Sequence, residues 1–471
     1  MANKELRKFT ICEAQEKILS KEISPVDLIE AYIERIDETE EKINSFTQVF
    51  PEEARKQAKG LEAMQMAGHF LGPLHGIPVA IKDNIDMAGF KTTASSQVYE
   101  NNVAKEDAPV VAKLKEAGSV FIGKPNMHEF AWGICTDPPV YGASRNPWNP
   151  DRFCSGSSGG SGGTVANGTS LAALGTDTGG SVRLPASVCG LVGIRPTLGR
   201  IPTQGIVPLA YTLDSCGPLT RTVKDNALMF SVMSGYVPSD PTSANVVVKD
   251  FVSELEGGVK NMRIGYLPDV VFAYCQPDIV DAIKNAMETF KKLGAEIVEI
   301  KVDKLELMHK AWYAICGVEA SAFHQKNYRE RPQEYGRDLR MLLGAGELIH
   351  GTAYVQAQRF RRMMREQFKQ IFKNIDLMLF PTLPYTAVPV GEYDIMIDGK
   401  MTSILPITIY YTCRAPIVGM PALSVPCGLD KEGLPIGMDL LANAFCEDTA
   451  YRAAYAFEKT FSLADKLPIG V

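Results

Sequence analysis

The chain reads as an α/β fold, a β-sheet covered by helices, and three observations predict it. Helical and strand-like segments alternate along the sequence, the pattern of a sheet layered with helices. Short apolar runs end at Gly, Pro or Asp, as buried strands do. The composition, 45% hydrophobic and 22% charged over 471 residues, is that of a globular protein, not a disordered or fibrous one.

The elements follow in order. Residues 10–66 are predicted helical. Thr10-Ile11-Cys12-Glu13 fits a capping box, and Ser24-Pro25-Val26-Asp27 gives an N-cap followed by proline at the first helical position. His75 to Ile81 is an apolar run bounded by Gly and Asp, a buried strand with Lys82 at its end. Residues 108–117 read as a helix and Ser119 to Ile122 as the next strand. The order then repeats: Arg263 to Tyr266 is a strand, 277–293 a helix stopped by Gly294, and Ala295 to Val302 an alternating strand. Asp376 to Phe380 and Ala422 to Pro426 are further short strands, and 447–461 is a closing helix. The helix near 353–373 carries Arg359, Arg361, Arg362, Arg365, Lys369 and Lys373, read as a solvated face in preference to a partner surface. The more polar stretch 235–262 is an excursion or a minor boundary. No repeat or low-complexity tract interrupts the chain.

Charge and special residues exclude several function classes. The net charge of −6 gives no electrostatic reason to expect nucleic acid or an anionic membrane as partner. No apolar run approaches the roughly 20 residues that span a bilayer. The opening Met1-Ala2-Asn3-Lys4-Glu5 leads into an amphipathic stretch with no signal-peptide pattern. Ten cysteines scattered from Cys12 to Cys446 without a CxxC pair read as reduced thiols of a cytoplasmic protein. The six histidines lack metal-ligand spacing, so no metal is expected.

Three polar anchors carry the chemistry. Lys82 ends Gly76-Ile77-Pro78-Val79-Ala80-Ile81-Lys82-Asp83, Ser157 lies in Gly156-Ser157-Ser158-Gly159-Gly160-Ser161, and Ser181 closes Asp177-Thr178-Gly179-Gly180-Ser181. Taken alone, the Gly/Ser segment is also compatible with a structural loop, and Lys82 with a strand-end lysine reaching solvent. A P-loop is excluded because no lysine follows the glycines. Gly156-Ser157-Ser158-Gly159-Gly160 matches the GxSxG nucleophile elbow, which would make Ser158 the nucleophile, but turn residues precede it where an elbow needs a strand. The second segment shifts the balance. Successive N–H groups at Thr178, Gly179 and Gly180 can converge on one oxygen, as an oxyanion hole requires, beside a serine able to attack the same carbonyl. A serine needs a base. No histidine sits in a recognisable triad context, and SxxK is absent. Lys82, acting through a bridging hydroxyl after losing its proton on burial, is the economical base.

Together these blocks resemble the amidase signature family: GIPVAIKDNID, GSSGGS and ALGTDTGGSVRLPA stand in that family's order, with 75 positions from Lys82 to Ser157 and 24 more to Ser181. Gly123 to Met127, Ser144 to Trp148 and Cys189 to Thr197 add matches, and Gly419 to Pro426 and Gly433 to Gly437 are fainter echoes. The resemblance implies one amidase-signature domain over 1–471 built on a large twisted mixed sheet, with a catalytic core at about 65–225 and a divergent, specificity-setting half at about 235–420. It implies a Ser-cisSer-Lys triad: Ser181 as nucleophile, Ser157 as bridge after a cis peptide, Lys82 as base, and N–H donors from Thr178, Gly179, Gly180 and Ser181. It implies hydrolysis of a small-molecule carboxamide through an acyl-enzyme, without cofactor or nucleic acid, and leaves a homodimer open. The alternative is the glutamine-hydrolysing A subunit of a tRNA-dependent amidotransferase, a relative within the same family.

The departures favour the free amidase. Cys154-Ser155 replaces the family's Pro-Gly, and His128 replaces an aspartate in Asn126-Met127-His128-Glu129-Phe130. Arg340 fits an arginine of the glutamine pocket. Yet Ser403 to Cys413 offers no acid for a substrate ammonium; Tyr410, Tyr411 and Arg414 stand there instead. Arg183 is read as structural more than as a carboxylate ligand. By motif position Ala131 and Trp132 back the site, and Trp312, Tyr313, Arg340 and Arg414 lie in the specificity half, with packing or a surface ion pair as the plainer reading of each.

Overall fold

The computed structural model describes residues 3–397 and 399–468. Met1 and Ala2, which open the stretch read as signal-free, and the domain limits 1 and 471 lie outside the described residues. Eleven strands build one mixed sheet. Its first half comprises β1 Phe46–Val49, β2 Pro78–Ile81, β3 Val120–Pro125, β4 Ala172–Thr176, β5 Val192–Arg195 and β6 Cys216–Thr220. The second half adds β7 Arg263–Tyr266, β8 Glu296–Glu299, β9 Leu377–Pro381, β10 Ala422–Leu429 and β11 Pro435–Ala442. The order across the sheet is β1-β3-β2-β4-β6-β5-β10-β11-β9-β7-β8. The triplets β3-β2-β4 and β9-β7-β8 are parallel. The other pairings are antiparallel.

Every residue of β2, β3, β4, β5 and β6 is buried, so these strands lack the alternation of buried and exposed positions of a strand with one solvated face. That explains why β4, β5 and β6, each carrying a glycine, escape a periodicity reading. β1 interrupts the region expected to be helical throughout; helices Ile11–Leu19, Pro25–Ile43 and Pro51–Met66 surround it. The capping box expected at Thr10 forms, and the N-cap expected at Ser24, followed by Pro25, forms as a capping box with Asp27. The helices expected at 108–117, 277–293 and 447–461 are Pro109–Glu116, Pro277–Lys292 and Glu447–Glu458.

The expected solvated basic face needs one correction. On helix Gly351–Ile371, Arg359, Arg362 and Lys369 are exposed, but Arg361 is buried. Its guanidinium donates to the carbonyls of Ile417 at 3.0 Å and Thr212 at 2.6 Å. It ties helix Arg414–Val418 to the turn at Thr212 and does not face solvent.

The Gly/Ser segment is ordered by packing. Gly159–Ala166 is a fully buried helix. A Cβ at Gly160 would stand 2.3 Å from the Asn126 carbonyl oxygen, so only glycine lets this helix approach so closely.

Candidate active site

Lys82 follows the last residue of β2, and Thr176 ends β4. These strands are parallel neighbours with Ile81 opposite Leu174, so both side chains emerge at one carboxyl edge of the sheet. Lys82 is fully buried, which rules out the solvent-reaching lysine. Its Nζ lies 2.9 Å from Ser157 Oγ and 2.8 Å from Thr176 Oγ1. Burial lowers its pKa to about 7; the more distant Cys216, Asp177 and Asp214 oppose the shift. Thr176 is a site residue that its motif contains but does not single out, since nothing local in sequence gives a threonine at a strand end a role.

Ser157 is held from both sides of the chain. The Gly156–Ser157 peptide is cis. The Ser157 carbonyl accepts the His128 N–H at 3.0 Å. Ser155, where the family carries glycine, keeps a left-handed φ of 61° and donates its hydroxyl to Ile134 O at 3.0 Å. Ser158, the elbow candidate, is buried, with its hydroxyl engaged by both the N–H and the carbonyl of Thr176 at 3.3 Å. Its own N–H donates to Ser181 O at 3.3 Å and ties the two serine segments together. Among the described residues, no hydrogen bond joins the hydroxyls of Ser157 and Ser181.

The turn 177–181 is oriented peptide by peptide. A planar trans peptide points its C=O and N–H in opposite directions. Trp312 Nε1 donates to Thr178 O at 2.8 Å, which turns the Gly179 N–H the other way. Leu184 N–H holds Gly180 O at 2.7 Å and so turns the Ser181 N–H outward. The peptide between them is engaged at both ends: Thr412 Oγ1 donates to Gly179 O, and Gly180 N–H donates to Asp177 Oδ1 at 2.9 Å. Gly180 therefore departs from the expected set of donors. Its N–H is committed to a carboxylate, while those of Thr178, Gly179 and Ser181 have no acceptor among the described residues.

Asp177 is the hub under this turn. Burial would raise its carboxyl, but Arg183 and Arg195 outweigh that and hold it at about 2. Arg183 Nε meets Asp177 at 3.0 Å, Nη1 meets Asp439 at 2.7 Å, and Nη2 also donates to Thr412 O at 3.0 Å. With those partners Arg183 has the structural role expected of it.

Ser181 opens onto a narrow cleft walled by Ala131, Trp132, Leu184, Trp312, Leu405 and Ile409. The structure thus gathers Ala131, Trp132 and Trp312 around Ser181. Phe130 and Ala131 both take left-handed backbone, with φ of 47° and 62°, a strain of about 1–3 kcal/mol per residue that collects at functional sites. Arg340 is half-buried on helix Arg337–Glu347 and does not line the cleft. Arg414 is not in the wall either. It is buried, stacked over Phe380 at 4.6 Å and Tyr411 at 5.3 Å, and bonded to Tyr411 O. Tyr313 is half-buried, edge-on to Trp312. His128 stands out in the sequence only as a departure from the family pattern; in the fold it pairs with Asp137 at 3.3 Å. Burial would lower its imidazole, and Asp137 overcomes this to raise it.

Comparison with known proteins gives the family. The Amidase family model matches residues 27–450. An amidase of Pseudomonas putida is 38% identical, covering 98% of this chain and 98% of its own. The A subunit of the glutamyl-tRNA(Gln) amidotransferase from Thermosynechococcus vestitus is 36% identical over 96% of this chain and 97% of its own. Among solved structures, a chain of an inhibitor-bound vestigial protein complex, described as revealing the evolutionary origins of an s-triazine catabolic enzyme, superposes with a TM-score of 0.92 at 33% identity, over 96% of this chain and 98% of that one. The chain belongs to the amidase signature family of enzymes, which hydrolyse amide C–N bonds.

Proposed function

We propose that this protein is a free-standing amidase that cleaves a small carboxamide through an acyl-serine intermediate. The observation that carries the reading is the contact between the buried Lys82 amine and Ser157 Oγ at 2.9 Å. Neutral Lys82 takes the Ser157 proton while Ser157 takes that of Ser181, and Ser181 Oγ attacks the amide carbon. The oxyanion is met by the N–H groups of Gly179 and Ser181, with Thr178 adjoining. Lys82 returns its proton through Ser157 to the leaving nitrogen, the C–N bond breaks, and water hydrolyses the ester by the same relay. The Ser157–Ser181 link closes when substrate binds, since catalytic hydrogen bonds are often long in the free enzyme.

The test is a fluorophosphonate adduct mapped by mass spectrometry. Labelling of Ser181, lost in Ser181→Ala and Lys82→Ala, is expected. An adduct on Ser158 would sink the reading.

The second reading, a glutamine-hydrolysing component of an amidotransferase, is favoured by the similarity to the Thermosynechococcus protein. Against it stands the Ser181 cleft, whose walls carry no ionisable side chain for an α-amino acid among the described residues. Glutaminase activity that needs a co-purifying chain would establish that second reading in place of the first.

A further inference from the structure

Next to the Ser181 cleft lies a cavity of about 270 Å³. The two share Trp132, Gly133, Ile134 and Leu405, so they adjoin across these residues. On the cavity side of these residues the walls are mainly apolar, with Met341, Leu342 and Ile404 added. The polar groups there are His128, Asp338, Tyr393 and Ser403. His128 and Tyr393 are already committed, both to Asp137. Among the described residues, no lysine or arginine lines either space.

We propose that this cavity is the substrate side-group pocket, and that the enzyme takes uncharged carboxamides bearing an aryl or medium-length alkyl group on one flank of the scissile bond. The assignment rests on Ser181 as nucleophile, because the cavity is placed by its adjacency to the cleft that residue opens onto. An anionic substituent finds no cation except a histidine already matched by its own aspartate. A zwitterionic amino-acid amide would need a carboxylate and a cation together; Asp338 in the cavity is a carboxylate, but among the described residues neither space carries a lysine or arginine to pair with the substrate's own carboxylate. An uncharged apolar group meets what the wall supplies. A dry cavity of about 150 Å³ holds a benzene, so 270 Å³ suits a phenyl ring with a short linker.

The experiment separates binding from chemistry. Ser181→Ala is titrated calorimetrically with two series, primary amides from acetamide to hexanamide and 3-phenylpropionamide, and N-alkyl acetamides of matching length, with glutamine alongside. Wild-type turnover of the same compounds is measured in parallel. Each buried methylene should tighten binding about 4-fold, so one series should gain roughly 10²-fold from acetamide to hexanamide. Whichever series gains tells whether the cavity holds the acyl or the leaving group. Leu342→Trp, which fills the cavity, should erase most of the gain, and Leu342→Ala should move the optimum to longer chains. Affinities flat across both series, or glutamine bound more tightly than hexanamide, would overturn the proposal. Length-dependent binding without any wild-type turnover would uphold the pocket and count against the serine mechanism instead.

Discussion

Burial at Lys82 makes a normally cationic side chain about half neutral near pH 7. Only the neutral amine accepts a proton, so kcat/KM should rise about tenfold per pH unit below 7 and level off above it, as initial rates between pH 5 and 9 would show. Lys82→Arg, charged throughout that range, should lose about 10³-fold or more. The same shift has a stability sign. The unfolded chain holds this proton up to the ordinary lysine value and the folded one releases it near 7. Across that window the unfolded state binds more protons, so Lys82 contributes stability that increases with pH. Lys82→Met should flatten that part of the unfolding-midpoint profile. Trp312→Phe removes the bond that turns the Gly179 N–H outward and should lower kcat about tenfold while KM changes little. Lys82, Ser157 and Ser181 were legible because each sits in a short motif with unusual flanks. The commitment of the Gly180 N–H to Asp177 was not, because Trp312 and Thr412 orient those peptides from more than 130 residues away in sequence.

Among elements, the helices were the most readable because their signals are local. Thr10 and Ser24 cap their own first turns, and no distant residue decides whether they do. The central strands are the opposite case. β4, β5 and β6 are short, buried throughout and glycine-containing, so they show no alternation of buried and exposed positions. Their partners across the sheet define them. The helix Gly159–Ala166 lies between these cases, since glycines that weaken it as an isolated helix let it pack against the Asn126 backbone. Gly160→Ala should therefore lower stability by about 1–3 kcal/mol, read from denaturant midpoints. Gly60→Ala, in helix Pro51–Met66 with open space around the new methyl, should be neutral or raise stability by up to about 1 kcal/mol.

On the scale of the whole molecule, Arg183 joins the turn that carries Ser181 to the far half of the sheet, spanning Asp177 after β4 and Asp439 on β11. Arg183→Met would leave both buried carboxylates short of a cation and should cost about 3–5 kcal/mol, seen as a large drop in thermal midpoint. Asp177 has the sign opposite to that of Lys82. Its folded pKa is depressed to about 2, so its contribution is fully present above the ordinary carboxylate value and is lost as pH falls from about 4 toward 2. Acid unfolding curves should show that loss in the wild type. Contiguous residues were enough for the α/β class, the family and the three polar anchors, because periodicity, caps and glycine-flanked motifs are local signals. Four features needed the folded chain: which N–H groups of the turn stay free, the burial of Arg361, the place of Arg340 and Arg414 outside the cleft, and the apolar cavity beside Ser181. Each of those depends on segments far apart in the chain meeting across the sheet, and which of them meet is set by packing that no contiguous stretch encodes.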